Sequence, residues 1–245
     1  MARRSPTLLL RYIRDLTDAD EAGEGSDREL VQRFADGRDE AAFTALVRRH
    51  GALVLGVCRR VLRHEQDAED AFQASFLVLA RRAATVRPRE LLGNWLYGVA
   101  YRTAMKARTM NARRRTREGR AAIKPTAEAS TEDGCEELLP LLDEALSRLP
   151  DKYRVPVVLC DLEGKSRKEV ARQLGLPEGT VGSRLARARA ILAQRLTQRG
   201  VALSGGALAA VLCQESASAG VPASVVSSTI QAATLFAAGK RRLRA

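Results

Sequence analysis

From Asp27 onward the apolar residues return every three or four positions, first as Leu30, Val31 and Phe34 and then as Phe43, Leu46 and Val47. That spacing gathers them on one side of a helix with 3.6 residues per turn, and no stretch alternates as a half-buried strand would. The pattern predicts an all-α protein. It falls into a helical block over 27–117 and a second over 136–199. Between them, 118–135 begins EGRAAIKPTAEASTED, mixing Gly, Pro, Ser and Thr with charge and offering little bulk to bury. Such a composition is that of a flexible linker, so two small helical domains on a tether are expected. Residues 1–26 form an N-terminal arm with a helix-compatible piece at Leu8–Leu16, and 200–245 form a C-terminal helical extension rich in Ala, Val and Ser. The extension's two apolar stretches both stop short of the roughly 20 residues a membrane span requires, so a helical hairpin packed on protein is expected there.

The clearest local signal is SRKEVARQLGLPEGTVGSRLARARAILAQRL, residues 166–196. Ser166 followed by Glu169 is a capping box, which opens a helix by satisfying free backbone amides from both sides. Gly175 suits the left-handed residue that closes it, and Leu176 and Pro177 turn the chain into a second helix starting near Glu178. On that helix Val181, Leu185, Ala188 and Leu192 make the inner stripe, leaving Thr180, Ser183, Arg184 and Arg187 to face solvent. Helix, short glycine-bearing turn and helix with Arg and Ser facing outward is the pattern of a helix-turn-helix that enters the DNA major groove.

Charge agrees with that reading. The 245 residues carry 41 Lys and Arg against 29 Asp and Glu, a formal net charge of +12, so a polyanion is the expected partner. Four cysteines stand far apart with no CxxC pair and only His50 and His64 for company, which supports neither zinc nor a disulfide framework. No cofactor is expected. The N-terminus lacks the apolar core and cleavage site of a signal peptide, so the chain is expected to work in the cytoplasm.

Within the first block, HEQDAEDAFQASFLVLARRA (64–83) sets Asp67, Asp70 and Gln73 three residues apart, with Phe72, Phe76, Leu77 and Leu79 beside them. Carboxylates without a His or a second acidic motif make a poor catalytic or metal site and a better seat for a basic protein surface. NWLYGVAYRTAMKARTMNARRRTR (94–117) follows. A helical plot puts Trp95, Leu96, Val99, Thr103, Ala107 and Met110 on one side and Tyr97, Tyr101 and Arg108 on another. Rings beside Arg102, Lys106 and Arg108, running on to Arg113 and Arg114, make a surface for unstacked bases and their phosphates.

In order and wording these motifs resemble the extracytoplasmic-function (ECF) group of the sigma-70 family, over roughly 27–117 and 136–197. The resemblance implies a non-enzymatic subunit that recruits core RNA polymerase to promoter DNA. It makes Asp70 and Gln73, with Asp67 and Phe76 nearby, contacts to the polymerase's coiled coil, although Ala74 departs from the acidic residue often found there. It assigns a flipped minus-ten base to the loop from Ala83 to Gly93. The opened strand falls to Trp95, Tyr97, Tyr101, Arg102, Lys106, Arg108, Arg113 and Arg114, with Leu96 where housekeeping relatives carry a second Trp. It gives Thr180, Ser183, Arg184 and Arg187 the minus-thirty-five element, with Gly182 where many members carry Lys or Arg. SRLPDKYR (147–154) resembles the family's helix that docks near the polymerase flap. A further partner is expected in an anti-sigma protein, or in its place intramolecular inhibition by 200–245. The alternative is a stand-alone helix-turn-helix regulator, which would bind palindromic duplex as a dimer without polymerase. A nuclease would need a carboxylate or His cluster facing the basic surface, and the sequence offers none.

Overall fold

A computed structural model of the chain describes residues 25–117, 133–201 and 220–242. Nearly all of the N-terminal arm, most of the linker and the start of the C-terminal extension lie outside the described residues, and with them the first arm of the expected hairpin. Among the described residues every regular element is a helix, as the apolar periodicity predicts.

The first block holds α1 (Asp27–Gly37), α2 (Glu40–Leu62), α3 (Glu65–Arg82) and α4 (Leu92–Arg117), with two short 3-10 turns between α3 and α4. Ser26 and Glu29 close a capping box at the start of α1, and Asp39 caps α2 through the amide of Ala42. Each such cap is worth about 1 kcal/mol. α2 is the axis: α1, α3 and α4 all pack against it. Phe34 and Phe43 lie 4.7 Å apart and Phe72 and Phe76 lie 4.9 Å apart, so four rings weld α1, α2 and α3 together. By length and composition α2 could cross a membrane, but its apolar residues are the centre of this core. It is a buried helix of a helical bundle.

The second block holds α5 (Asp133–Ser147), α6 (Asp151–Val157), which widens into a π turn at Val158–Leu162, then α7 (Arg167–Leu174) and α8 (Glu178–Thr197). The π turn closes through a bond from the Glu163 amide to the Val158 carbonyl, 2.9 Å. From this wider turn Asp161 reaches Arg189 of α8, with its Oδ1 2.6 Å from the guanidinium, whereas Glu163 reaches the first block. The extension contributes one helix, α9 (Ala223–Arg242), seated on α2 and α3. It meets α2 at Gly51, where a Cβ would lie 3.0 Å from a Val221 methyl. Burial of Val225, Thr229 and Ala233 marks the seated face.

The two blocks touch through a buried polar seam. Arg60 of α2 grips Asp143 of α5 with two nitrogens, at 2.6 and 3.1 Å, and Asp143 is 0% exposed. The Tyr97 hydroxyl donates to the Asp143 backbone carbonyl at 3.1 Å and lies 3.2 Å from its carboxylate. Nearby, His50 sits between Glu163, 2.8 Å from Nδ1, and Asp27, 3.1 Å from Nε2. Burial alone would depress the imidazole, but these two carboxylates overcome it and raise its pKa to about 9. Burial pushes Asp27 up, yet His50 and Arg49 outweigh it and bring it down to about 2. Glu163 is lowered by His50 and Lys165 against the same opposing burial. A side chain at Gly93 would run into the Glu163 carboxylate, so this glycine opens the door through which the second block reaches His50.

Candidate nucleic-acid interface

The helix-turn-helix forms as its sequence dictates. Ser166 accepts from the amide of Glu169 while the Glu169 carboxylate accepts from the Ser166 amide at 2.8 Å. Gly175 ends α7 with φ of 63°, a left-handed backbone that a side chain would resist. Leu176 and Pro177 then deliver the chain to α8 at Glu178. Val181, Leu185, Ala188, Leu192 and Leu196 are buried, as the stripe predicts.

The outward side divides the arginines of α8 by their partners. Arg189 is held by Asp161, Arg195 donates to the Ala145 carbonyl at 2.9 Å, and just beyond the helix Arg199 holds Glu144. Arg184 and Arg187, in contrast, make no hydrogen bond or ion pair with any described residue. Ser183 and Arg187 are exposed, whereas Thr180 and Arg184 are half-buried on the flanks. The Ser183 hydroxyl donates to the Thr180 carbonyl at 3.0 Å, which leaves its lone pairs outward as acceptors. This face offers cations and an adaptable hydroxyl on a rigid helix.

In the first block the candidate residues of α4 do not share one face. Trp95, Arg102, Lys106 and Arg113 recur at seven, four and seven, and so align along the helix. Trp95, Val99 and Met110 line a groove of about 790 Å³ between α3 and α4, with Arg102 and Lys106 on its rim. Met110 is 59% exposed. The expected side of Trp95 and Leu96 is therefore split: Leu92, Leu96, Ala100 and Ala104 are the core stripe, and Trp95 stands half-buried at the groove. Tyr97 departs from expectation outright. It is fully buried beneath α5, its phenol pushed well above the usual range by burial and by Asp143, and in this arrangement it offers no ring to a base. Tyr101 is half-buried, and Arg108 lines a cleft with Pro140, Leu141 and Glu144, turned toward the second block. Arg114 is exposed but has a partner of its own.

The acidic row of α3 separates as well. Three-residue steps slip about 60° around a helix, so Asp67, Asp70 and Gln73 spread over more than one face. Asp67 accepts from the Asn111 amide at 2.8 Å, Asp70 is exposed, and Gln73 is half-buried. Phe76 is a core residue, 0% exposed, edge-on to Phe43 and tilted against Phe72, so it cannot reach a partner. Sequence periodicity missed the seam residues Arg60, Asp143, His50 and Glu163. The one local hint is Asp143 itself, an acid beside Leu142 on the inner side of α5.

Family comparison matches both blocks. The description "Sigma-70 region 2" covers residues 46–115 and "Sigma-70, region 4" covers 139–192. The "ECF RNA polymerase sigma factor SigM" of Mycobacterium tuberculosis is 35% identical over 71% of this chain and 86% of its own. The chain belongs to the ECF group of the sigma-70 family. Among its other relatives are the "RNA polymerase sigma-H factor" of Pseudomonas aeruginosa, 29% identical over 66% of this chain and 90% of its own, and the "ECF RNA polymerase sigma-E factor" of Haemophilus influenzae, 29% identical over 70% and 95%. A solved chain titled "Structure of CnrH in complex with the cytosolic domain of CnrY" covers 71% of this chain and 99% of that one at 24% identity, with a TM-score of 0.38. As an RNA polymerase sigma factor, the protein is a DNA-recognition subunit, and the stand-alone regulator is set aside.

Proposed function

We propose that this sigma factor takes core polymerase to its promoters through two contacts made by two units, 27–117 and 136–199. The carrying observation is a pair of guanidiniums, Arg184 and Arg187, that have no partner among the described residues and stand beside exposed Ser183 on α8. These residues, with Thr180 at their edge, read the minus-thirty-five duplex, where Arg suits guanine edges and phosphates. Asp70 and Gln73 seat the core enzyme, and the line of Trp95, Arg102, Lys106 and Arg113 holds the opened minus-ten strand by stacking and charge. Once core holds the two units at the right span, the second contact becomes intramolecular, and two weak sites act as one strong one. Recognition of this kind needs no catalytic group, and it takes place in the cytoplasm.

Incubation with core polymerase and run-off transcription from a randomised promoter library test this. The full chain should co-purify with core and direct discrete start sites, and replacing Asp70 and Gln73 with Ala should release it from core without changing its melting temperature. Failure to bind core, with tight dimeric binding to palindromic duplex instead, would overturn the reading.

The seat of α9 supports a second element. α9 lies on α2 and on α3, the helix that carries Asp70 and Gln73; this seat supports a reading in which the extension competes with core and serves in place of a separate anti-sigma protein. Deleting 202–245 should raise promoter output at equal protein concentration. Unchanged or lower output would remove this role.

A further inference from the structure

Ser183 forms the outward crest of α8. Each residue turns a helix by about 100°, so Arg184 falls on one flank of that crest and Gly182 on the other. One flank thus carries its own guanidinium and the other carries no side chain at all. Glycine inside a helix is unfavourable relative to alanine, so the bare flank is no gift to folding. The space above it is filled from the neighbouring helix: a Cβ built at Gly182 would lie 3.6 Å from Nη1 of Arg167.

Arg167 opens α7, is exposed, and makes no hydrogen bond or ion pair with any described residue. Folding gives no reason for a cation there, because the first turn of a helix favours acids and disfavours bases. Glu169, in the same turn, is committed to the Ser166 cap and leaves the guanidinium alone.

We propose that Arg167 is a phosphate contact of the helix-turn-helix, gripping the DNA backbone on the flank that Gly182 leaves bare, opposite Arg184. The proposal rests on the reading that α8 enters a major groove. A helix in that groove lies between two walls of phosphate, and a guanidinium on each flank brackets it. Ser183 and Arg187, on the crest between, face the base edges. The missing side chain at 182 has a use in this arrangement, since the Arg167 guanidinium lies 3.6 Å from where its Cβ would stand and a long side chain would compete for the same flank. Because Arg167 belongs to α7, the grip also fixes both helices of the motif to the DNA rather than one.

The test uses the full chain assembled with core polymerase and a promoter duplex recovered from a randomised library by the wild-type assembly. Arg167→Ala should weaken binding equally across minus-thirty-five variants and flatten the plot of log affinity against log salt by about 0.9, the share of one phosphate. Between 0.05 and 0.2 M salt the variant should then lose about 3.5-fold less affinity than the wild type. Arg167→Lys should keep the slope, and adding Gly182→Arg to Arg167→Ala should restore it by returning a cation to the same flank. Melting temperature should not fall, because the side chain has no partner to lose among the described residues. An unchanged slope for Arg167→Ala while Arg184→Ala flattens it would take Arg167 off the DNA. Altered base preference with an unchanged slope would also overturn the phosphate assignment. If neither variant changes affinity or slope, the reading of α8 as the DNA-binding helix falls, and this inference with it.

Discussion

At the seam between the blocks, Arg60 is 4% exposed and two of its nitrogens rest on one carboxylate, whereas Arg187 on α8 stands in solvent with no partner among the described residues. Both are arginines on long amphipathic helices, and local sequence does not tell them apart. What separates them is whether an acid from a distant helix arrives. A buried guanidinium must be neutralised, because taking a charge out of water costs several kcal/mol unless its partner is close and well aligned. An exposed one costs little to leave free and remains available to an anion. Acids from distant helices hold some arginines in the structure and leave others facing solvent.

The contrast can be broken hardest at the seam. Asp143→Ala takes from buried Arg60 the carboxylate on which two of its nitrogens rest and leaves the Tyr97 hydroxyl only the backbone carbonyl, so stability should fall by about 3–5 kcal/mol in urea unfolding. The paired change Arg60→Met with Asp143→Leu should recover most of that loss, because it removes both charges together. Full loss in the double variant would mean that the site depends on polar geometry and not on charge neutralisation.

Arg184→Ala and Arg187→Ala should do the reverse. Stability should stay within about 0.5 kcal/mol for exposed Arg187 and close to that for half-buried Arg184, since neither has a partner among the described residues. Promoter affinity of the polymerase assembly should drop by about 1–3 kcal/mol for each residue that reads a base, measured by titration at fixed salt. A large loss of stability would show that these arginines hold the fold after all.

A milder probe is pH. His50 titrates near 9 in the fold against 6.5 when unperturbed, so its contribution is complete below about pH 6.5 and drains away as pH rises through 9. Asp27, lowered from 3.8 to about 2, contributes above 3.8 and is lost as pH falls through 2. Thermal stability should therefore be flat between about 4 and 6.5 and decline on both sides. His50→Gln should abolish the decline between about pH 6.5 and 9, below the range where the buried Cys58 thiol and Tyr97 phenol contribute, and a decline that persists there would assign it to another group.

The helix-turn-helix was legible in the sequence because everything that makes it is local: Ser166 and Glu169 lie three residues apart, Gly175 closes the turn, and the stripe of α8 repeats within a few turns. α4 was less so. A helical plot weights residue size and centred on Trp95, but burial follows whichever face meets α2, and there Leu92, Leu96, Ala100 and Ala104 are the inward line. Tyr97 then fell on the flank covered by α5, a helix 36 or more residues further along the chain. Phe76 was misassigned for a related reason, since proximity to the acidic row in sequence says nothing of depth. The seam was illegible because Arg60 and Asp143 are 83 residues apart, and His50 and Glu163 are 113 apart. No periodicity spans such distances.

The covering of Tyr97 and Asn94 sets a toll on whatever engages that end of α4. Asn94 accepts from Arg154 at 3.0 Å while Tyr97 holds Asp143, so both are spoken for whenever the blocks are joined. A ligand that needs either one binds only the parted population, and its apparent dissociation constant is the intrinsic one divided by that fraction. If one molecule in a hundred is parted, the observed affinity is about a hundredfold weaker than the surface itself could provide. A partner that drew the blocks to separate places would return that factor at once.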